Sequence, residues 1–200
     1  SQGGTSSQHT CRMLAYTFNQ MRNYVKNIGD HNIDVLIGHE YASYNYKRLG
    51  GSKTGFAGIP GNTEFDSAST PVNVYGNLDS RNLESYLSRV NYQYKGRYNL
   101  SASLRGDASS RFHPDNQWGV FWSVGGNWRI SEEEFMAGAR SWLDNLNIRA
   151  SYGTSGNESL LDTGGYSTYY PYQGLYDLGY ANGNLGGAFP ITLQNNDLKW

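Results

Sequence analysis

Residues 99–112, "NLSASLRGDASSRF", alternate apolar and polar side chains one by one and then halt at an Arg, an Asp and a pair of serines. Successive side chains of an extended chain point to opposite sides. Leu100, Ala102 and Leu104 therefore share one face, and Asn99, Ser101, Ser103, Arg105 and Asp107 share the other. One face avoids water and one seeks it. Whether the apolar face meets packed protein or lipid separates the possible functions.

The same period recurs on both sides of this stretch. Tyr86, Val90, Tyr92 and Tyr94 oppose Ser85, Arg89, Asn91 and Gln93. Further on, Trp118, Val120, Trp122, Val124 and Trp128 oppose Gly119, Phe121, Ser123, Gly125, Asn127 and Arg129, and Leu146, Ile148, Ala150 and Tyr152 oppose Asn147, Arg149, Ser151 and Gly153. Upstream, "NIGDHN" predicts a tight Gly29-Asp30 turn joining two more strands. The pattern predicts strands at about 14–28, 31–47, 83–94, 98–109, 118–129 and 146–154. Residues 49–77 and 155–190 lack a period and are rich in Gly, Ser, Asn and Tyr, which predicts two long loops. The stretch 130–144 breaks the alternation, and Ser131 followed by Glu132 to Glu134 reads as the N-cap and first turn of a short helical segment.

Composition narrows the function classes. The chain has 200 residues, 16 basic against 17 acidic side chains and no basic block, so nothing suggests a nucleic-acid partner. No run of about eighteen apolar residues exists for a helical membrane span. Cys11 is the single cysteine, which excludes an internal disulfide. Gly at 25, Tyr at 17 and Trp at 5 are abundant, and amphipathic rings suit either a ligand-lined surface or the lipid headgroup zone. No signal peptide is visible at "SQGGTSSQHT", and the chain stops at "NNDLKW" on an apparent strand approach, so we expect a segment of a longer protein.

These features together predict an all-β fold, an antiparallel transmembrane β-barrel segment of a larger barrel. Short turns at 29–30 and 95–97 face the elaborate Gly-rich connections at the other end, as in outer-membrane barrels. In lipid no strand edge can leave its N–H and C=O groups unpaired, so a spanning sheet must close, and six or seven strands fall short of the usual minimum of about eight. The alternative is a soluble or cell-surface β-sandwich with a binding or adhesion role, whose half-buried strands alternate in the same way.

The stretches "SYLSRVNYQYKGRYNLSASLRGDASSRF" (85–112), "WGVFWSVGGNWRISEEEFM" (118–136) and "WLDNLNIRASYGTSGN" (142–157) resemble, in that order, the barrel half of SusC/RagA-family TonB-dependent outer-membrane transporters of Bacteroidetes. "HNIDVLIGHE" (31–40) is similar to the hairpin that precedes them there. The resemblance implies import of a nutrient glycan or peptide across the outer membrane. It also implies a SusD-like surface lipoprotein over the extracellular face, coupling to TonB through a region outside this chain, and a plug domain likewise outside it. No cofactor is implied.

Import of this kind needs no covalent chemistry, and no nucleophile–base constellation is visible, so we expect no enzyme. His9 with Cys11, and His113 with Asp115, lack the further ligands a zinc site requires. "RGD" (105–107) lies within a strand and reads as a cross-strand charge pair below the outer rim rather than as an adhesion tip. Arg89, Arg105, Asp107, Arg129 and Arg149 are the candidate polar residues of the barrel interior. Tyr166, Tyr169, Tyr170, Tyr172 and Tyr176, in the second long loop, are the candidates for contact with ligand.

Overall fold

A computed structural model describes residues 4–56, 61–139, 141–161, 168–182 and 185–200. Six strands form one sheet: β1 (Thr5–Ile28), β2 (His31–Phe56), β3 (Ala68–Tyr94), β4 (Tyr98–Ser109), β5 (Trp118–Arg129) and β6 (Asn147–Gly153). Their order in the sheet is their order in the chain, and a separate ribbon pairs β7 (Tyr176–Asn182) with β8 (Leu185–Pro190). Such a meander is what short turns impose, because each strand must fold back beside its predecessor. Gly29 at φ +57° forms the first tight turn, and Lys95 and Gly96, at φ +49° and +67°, form the second. Strands β1 and β6 are its edges, so the sheet does not close on itself.

Register runs unbroken from Leu83↔Ser109 to Tyr94↔Tyr98 between β3 and β4, and from Tyr98↔Trp128 to Ala108↔Trp118 between β4 and β5. Apolar side chains therefore meet across the ladder, as in the row Ala102, Val124, Tyr152. That face is uncovered. On β4, β5 and β6 its large side chains range from Trp128 at 38% exposed to Tyr152 at 71%, and Leu100, Leu104, Val120, Trp122 and Val124 fall between. Among the described residues only Ala68, Phe112 and Ile130 are buried apolar side chains, so no sandwich core is present among them.

The chain divides into two compact units, Ser1–Tyr16 with Ser43–Arg81, and Thr17–Ala42 with Asn82–Trp200. The first unit corrects the loop expected at 49–77. Strand β2 continues to Phe56 and β3 begins at Ala68, which leaves only 57–67 as the connection. Backbone pairing, which needs no hydrophobic alternation, holds this glycine-rich stretch extended. A Cβ on Gly50 would lie 2.6 Å from the Tyr75 hydroxyl and 2.9 Å from His9 Cβ, so glycine here makes room for a cross-strand ring. Strand β1 likewise begins earlier than expected, at Thr5, and the expected loop 155–190 contains the β7–β8 hairpin.

The segment after β5 is two short 3₁₀ turns, Ile130–Glu132 and Glu134–Ala139, and Ser131 is not an N-cap but the buried middle residue of the first. The reason lies in the sheet. Arg129 N–H donates to Arg97 O at 2.8 Å and Ile130 N–H to Leu146 O at 2.8 Å, so these amides are already satisfied and need no capping oxygen.

Candidate functional site

The face opposite the uncovered apolar one carries the polar chemistry. Near the tight turns it forms a recess of about 540 Å³ floored by Asn32, Asp34, Asn91, Asn99, Asn127 and Arg149. Asp34 Oδ1 and Asn127 Oδ1 are buried there without a hydrogen-bond partner among the described residues. Amide and carboxylate oxygens withdrawn from water in this way favour a donor-rich occupant.

Towards the loop end the same face carries a charge network built on β4. Arg105 Nε donates to both carboxylate oxygens of Asp107, at 2.7 and 2.9 Å, and Arg105 Nη2 donates to Ser85 Oγ at 3.2 Å. Glu40 Oε1 lies 4.0 Å from the same Nη2. The expected cross-strand pair is therefore a pair along one strand. Residues two apart on a strand share a face, and the Asp107 side chain is only 9% exposed. The other interior candidates stand apart from this network. Arg89 lies opposite Ser103, Arg149 opposite Asn127, and Arg129 opposite Asn147 at the end of β5. None of the three makes an ion pair among the described residues.

Beside Arg105 and Asp107 lies a smaller recess of about 300 Å³, walled by Ser103, Phe121, Ser123, Ser155 and Trp200. Phe112 is fully buried behind it, 5.3 Å from the Trp200 ring, and Phe121 meets Trp200 edge-on at 5.5 Å. Trp200 Nε1 donates to Gln117 O at 2.7 Å, and Asn116 Nδ2 donates to Asn196 O at 2.7 Å. Residues 196–200 are thereby tied to the connection between β4 and β5. Below them Ser109 Oγ donates to Glu158 Oε2 at 2.6 Å, and Arg111 Nη1 donates to Glu158 O at 3.0 Å. Phe112, Arg111, Glu158 and Trp200 escaped the sequence reading. The only hint was an aromatic among the turn residues of "SSRFHPDNQ".

The tyrosine candidates divide. The Tyr169 ring lies 5.8 Å from the Arg111 guanidinium, and Tyr172 packs edge-on against His113 at 5.7 Å, so both brace the connection after β4. Tyr170 is half-buried beside them, while Tyr176 opens β7 as an exposed side chain. Tyr166 lies outside the described residues.

Two aromatic rows frame the apolar face. At the turn end Tyr94, Tyr98 and Trp128 stack at successive spacings of 6.3 Å. At the loop end Tyr86 and Trp118 stack at 6.0 Å, and Glu84 Oε1 accepts from the Tyr86 hydroxyl at 2.8 Å with His39 Nε2 at 3.3 Å. Along β5 the two rows stand ten residues apart, Trp118 to Trp128, which is the length of tilted strand that crosses an apolar bilayer core. Below the turn-end row Glu133 accepts from Tyr98 Oη at 2.5 Å, Trp128 Nε1 at 3.0 Å and Arg97 Nη1 at 3.1 Å. These donors, the tyrosine hydroxyl foremost, hold its carboxyl below the ordinary carboxylate value.

Residues 2–200 match the family model described as TonB dependent receptor-like, beta-barrel. The chain is 28% identical over 193 residues to the TonB-dependent receptor SusC of Bacteroides thetaiotaomicron, covering 92% of this chain and 18% of that protein. It is 37% identical over 118 residues to a TonB-dependent receptor of Formosa agariphila, covering 59% of this chain and 11% of that protein. Among solved structures it superposes on the RagAB peptide transporter with a TM-score of 0.85 at 27% identity, covering 97% of this chain and 21% of that one. The chain thus spans about a fifth or less of the length of these relatives.

Proposed function

The chain belongs to the TonB-dependent receptor-like β-barrel family of the outer membrane, and from that footing we propose that it forms wall and extracellular loops of a transporter importing a nutrient glycan or peptide. The supporting observation is the pair of aromatic rows ten residues apart on an uncovered apolar face. Lipid satisfies that face and water does not, because rings with one polar edge settle at the two headgroup levels while Val, Leu and Trp side chains between them lie in hydrocarbon. On the opposite face the Arg105–Asp107 network and the amide-floored recess suit a wet or plug-filled interior. Transport asks only for such a path, so the reading includes no catalytic residue.

In this proposal the tight turns at 29–30 and 95–97 face the periplasm and the connections after β2, β4 and β6 face outward. A SusD-like lipoprotein covers the outer mouth, and TonB acts through a region outside these residues. The intact protein tests this in cells of its host. It should fractionate with the outer membrane, migrate faster on gels before boiling than after, and support uptake of labelled oligosaccharides or peptides that stops when TonB is deleted. Extraction into buffer without detergent, or uptake indifferent to TonB, would overturn the reading.

A further inference from the structure

The smaller recess beside Arg105 points to a ligand class, an inference that rests on the import reading above: we propose that it is a subsite for a neutral pyranose ring of an imported oligosaccharide. Its apolar wall is a corner made by two rings. Phe121 and Trp200 meet at 69°, one presenting its face beside the edge of the other. Two glycines let the rings settle there. A Cβ on Gly119 would stand 2.6 Å from Trp200 Cγ and 2.7 Å from Phe121 Cζ, and one on Gly156 would collide with the Phe121 ring. A pyranose carries its C–H bonds on two broad faces, and such a face packs against an aromatic ring as another apolar surface does.

The polar wall supplies donors and acceptors together, which is what a hydroxyl needs, since each hydroxyl gives one hydrogen bond and accepts two. Ser103 and Ser123 share one hydrogen bond at 2.7 Å, which leaves one O–H between them to donate outward. Arg105 Nη1 and the Ser155 hydroxyl have no protein partner among the described residues, and Asp107 keeps acceptor capacity beyond its bonds from Arg105 Nε. Charge then selects among ligands. One guanidinium faces two carboxylates, Asp107 and Glu40, so an incoming carboxylate meets no net positive charge. A uronic acid or a peptide C-terminus is disfavoured for that reason, and an uncharged ring is not.

Isothermal titration of the intact protein in detergent tests the assignment, with maltohexaose, xylohexaose and mannohexaose as neutral probes, and with pentagalacturonate and an uncharged-side-chain hexapeptide as competitors. At least one neutral hexaose should bind. Phe121→Ala removes the stacking wall and Ser155→Trp fills the recess. Each should weaken that binding by about tenfold or more, equivalent to at least about 1.4 kcal/mol, whereas Val120→Leu on the lipid face should leave it within about twofold. The shift in gel migration on boiling verifies that each variant is folded. Binding of no neutral hexaose, or equal affinity in wild type and both recess variants, would overturn the subsite, as would pentagalacturonate or the peptide being the ligand that both variants lose. TonB-dependent uptake measured on the same wild-type protein reports separately on the import reading, which survives each of those results and fails only if uptake is independent of TonB.

Discussion

The Tyr98 hydroxyl donates to Glu133 across 2.5 Å, joining the first residue of β4 to the turn that follows β5. Trp128 and Arg97 donate to the same carboxylate, so three side chains from two strands and the β3–β4 turn converge on one residue of a connection. Glu133 thus fixes the turn-end aromatic row from outside the sheet.

Loss of that carboxylate should loosen the row. Glu133→Gln keeps the shape but weakens the acceptor, and it should lower the temperature at which the folded, fast-migrating form disappears on gels. The pH dependence follows in sign. The folded carboxyl is held below its ordinary value of 4.5, so its contribution is fully present above that value and fades as pH falls through the lowered folded one. Between neutral pH and about 3, wild type should therefore lose more thermal stability than Glu133→Gln. Equal losses would show that another group carries the acid sensitivity.

Charge placed on the two faces should have unequal effects. Val124, midway between the aromatic rows, lies on the apolar face, and Ser101 lies on the polar face opposite Gly125. Val124→Arg should cost about 2–4 kcal/mol of folding into phosphatidylcholine vesicles, as arginine does near the bilayer midplane, whereas Ser101→Arg should cost under about 1 kcal/mol. Urea titration of vesicle-inserted protein measures both.

Phe112→Ala should act locally. The side chain is fully buried in a small cluster with Trp200, and truncating such a phenylalanine costs about 3–5 kcal/mol where the surroundings cannot collapse. The loss falls on the loop-end cluster rather than on the strand ladder. Limited proteolysis should open the connection 110–117 and the segment 191–200 while β3 to β5 stay protected.

Gly119→Val should displace Trp200. Even a methyl group at this position lies within 2.6 Å of the indole, so the ring must move, and overpacking of this kind costs about 1–3 kcal/mol. Quenching of tryptophan fluorescence by iodide should increase in the variant. An unchanged quenching profile would mean that the strand backbone gives way and the ring stays in place.

The central strands were legible in the sequence because their alternation is itself a record of two solvents. The stretches 98–109 and 118–129 carry it without interruption, and their observed bounds, Tyr98–Ser109 and Trp118–Arg129, follow it. The ends of β2 and β3 were not legible. There a glycine is favoured by the ring that lies over it, Tyr75 over Gly50, and no hydrophobic period betrays a strand held by backbone pairing. Arg105 and Asp107 were legible as neighbours on one face, but their partners Ser85 and Glu40 come from other strands and depend on register. Phe112 was hidden for a similar reason. It packs against Trp200, far along the chain, and nothing in the local turn residues announces that contact.

At the turn end of the sheet the turns are fastened to one another as well as to their own strands. Lys95 N–H donates to Asp30 O at 2.9 Å, and Arg129 N–H donates to Arg97 O at 2.8 Å. A tug on the hairpin at 95–97 is therefore shared sideways, amide to carbonyl, by the 29–30 turn on one hand and the end of β5 on the other. Pulling on the 95–97 turn thus loads the neighbours it is bonded to before its own strands can be drawn out.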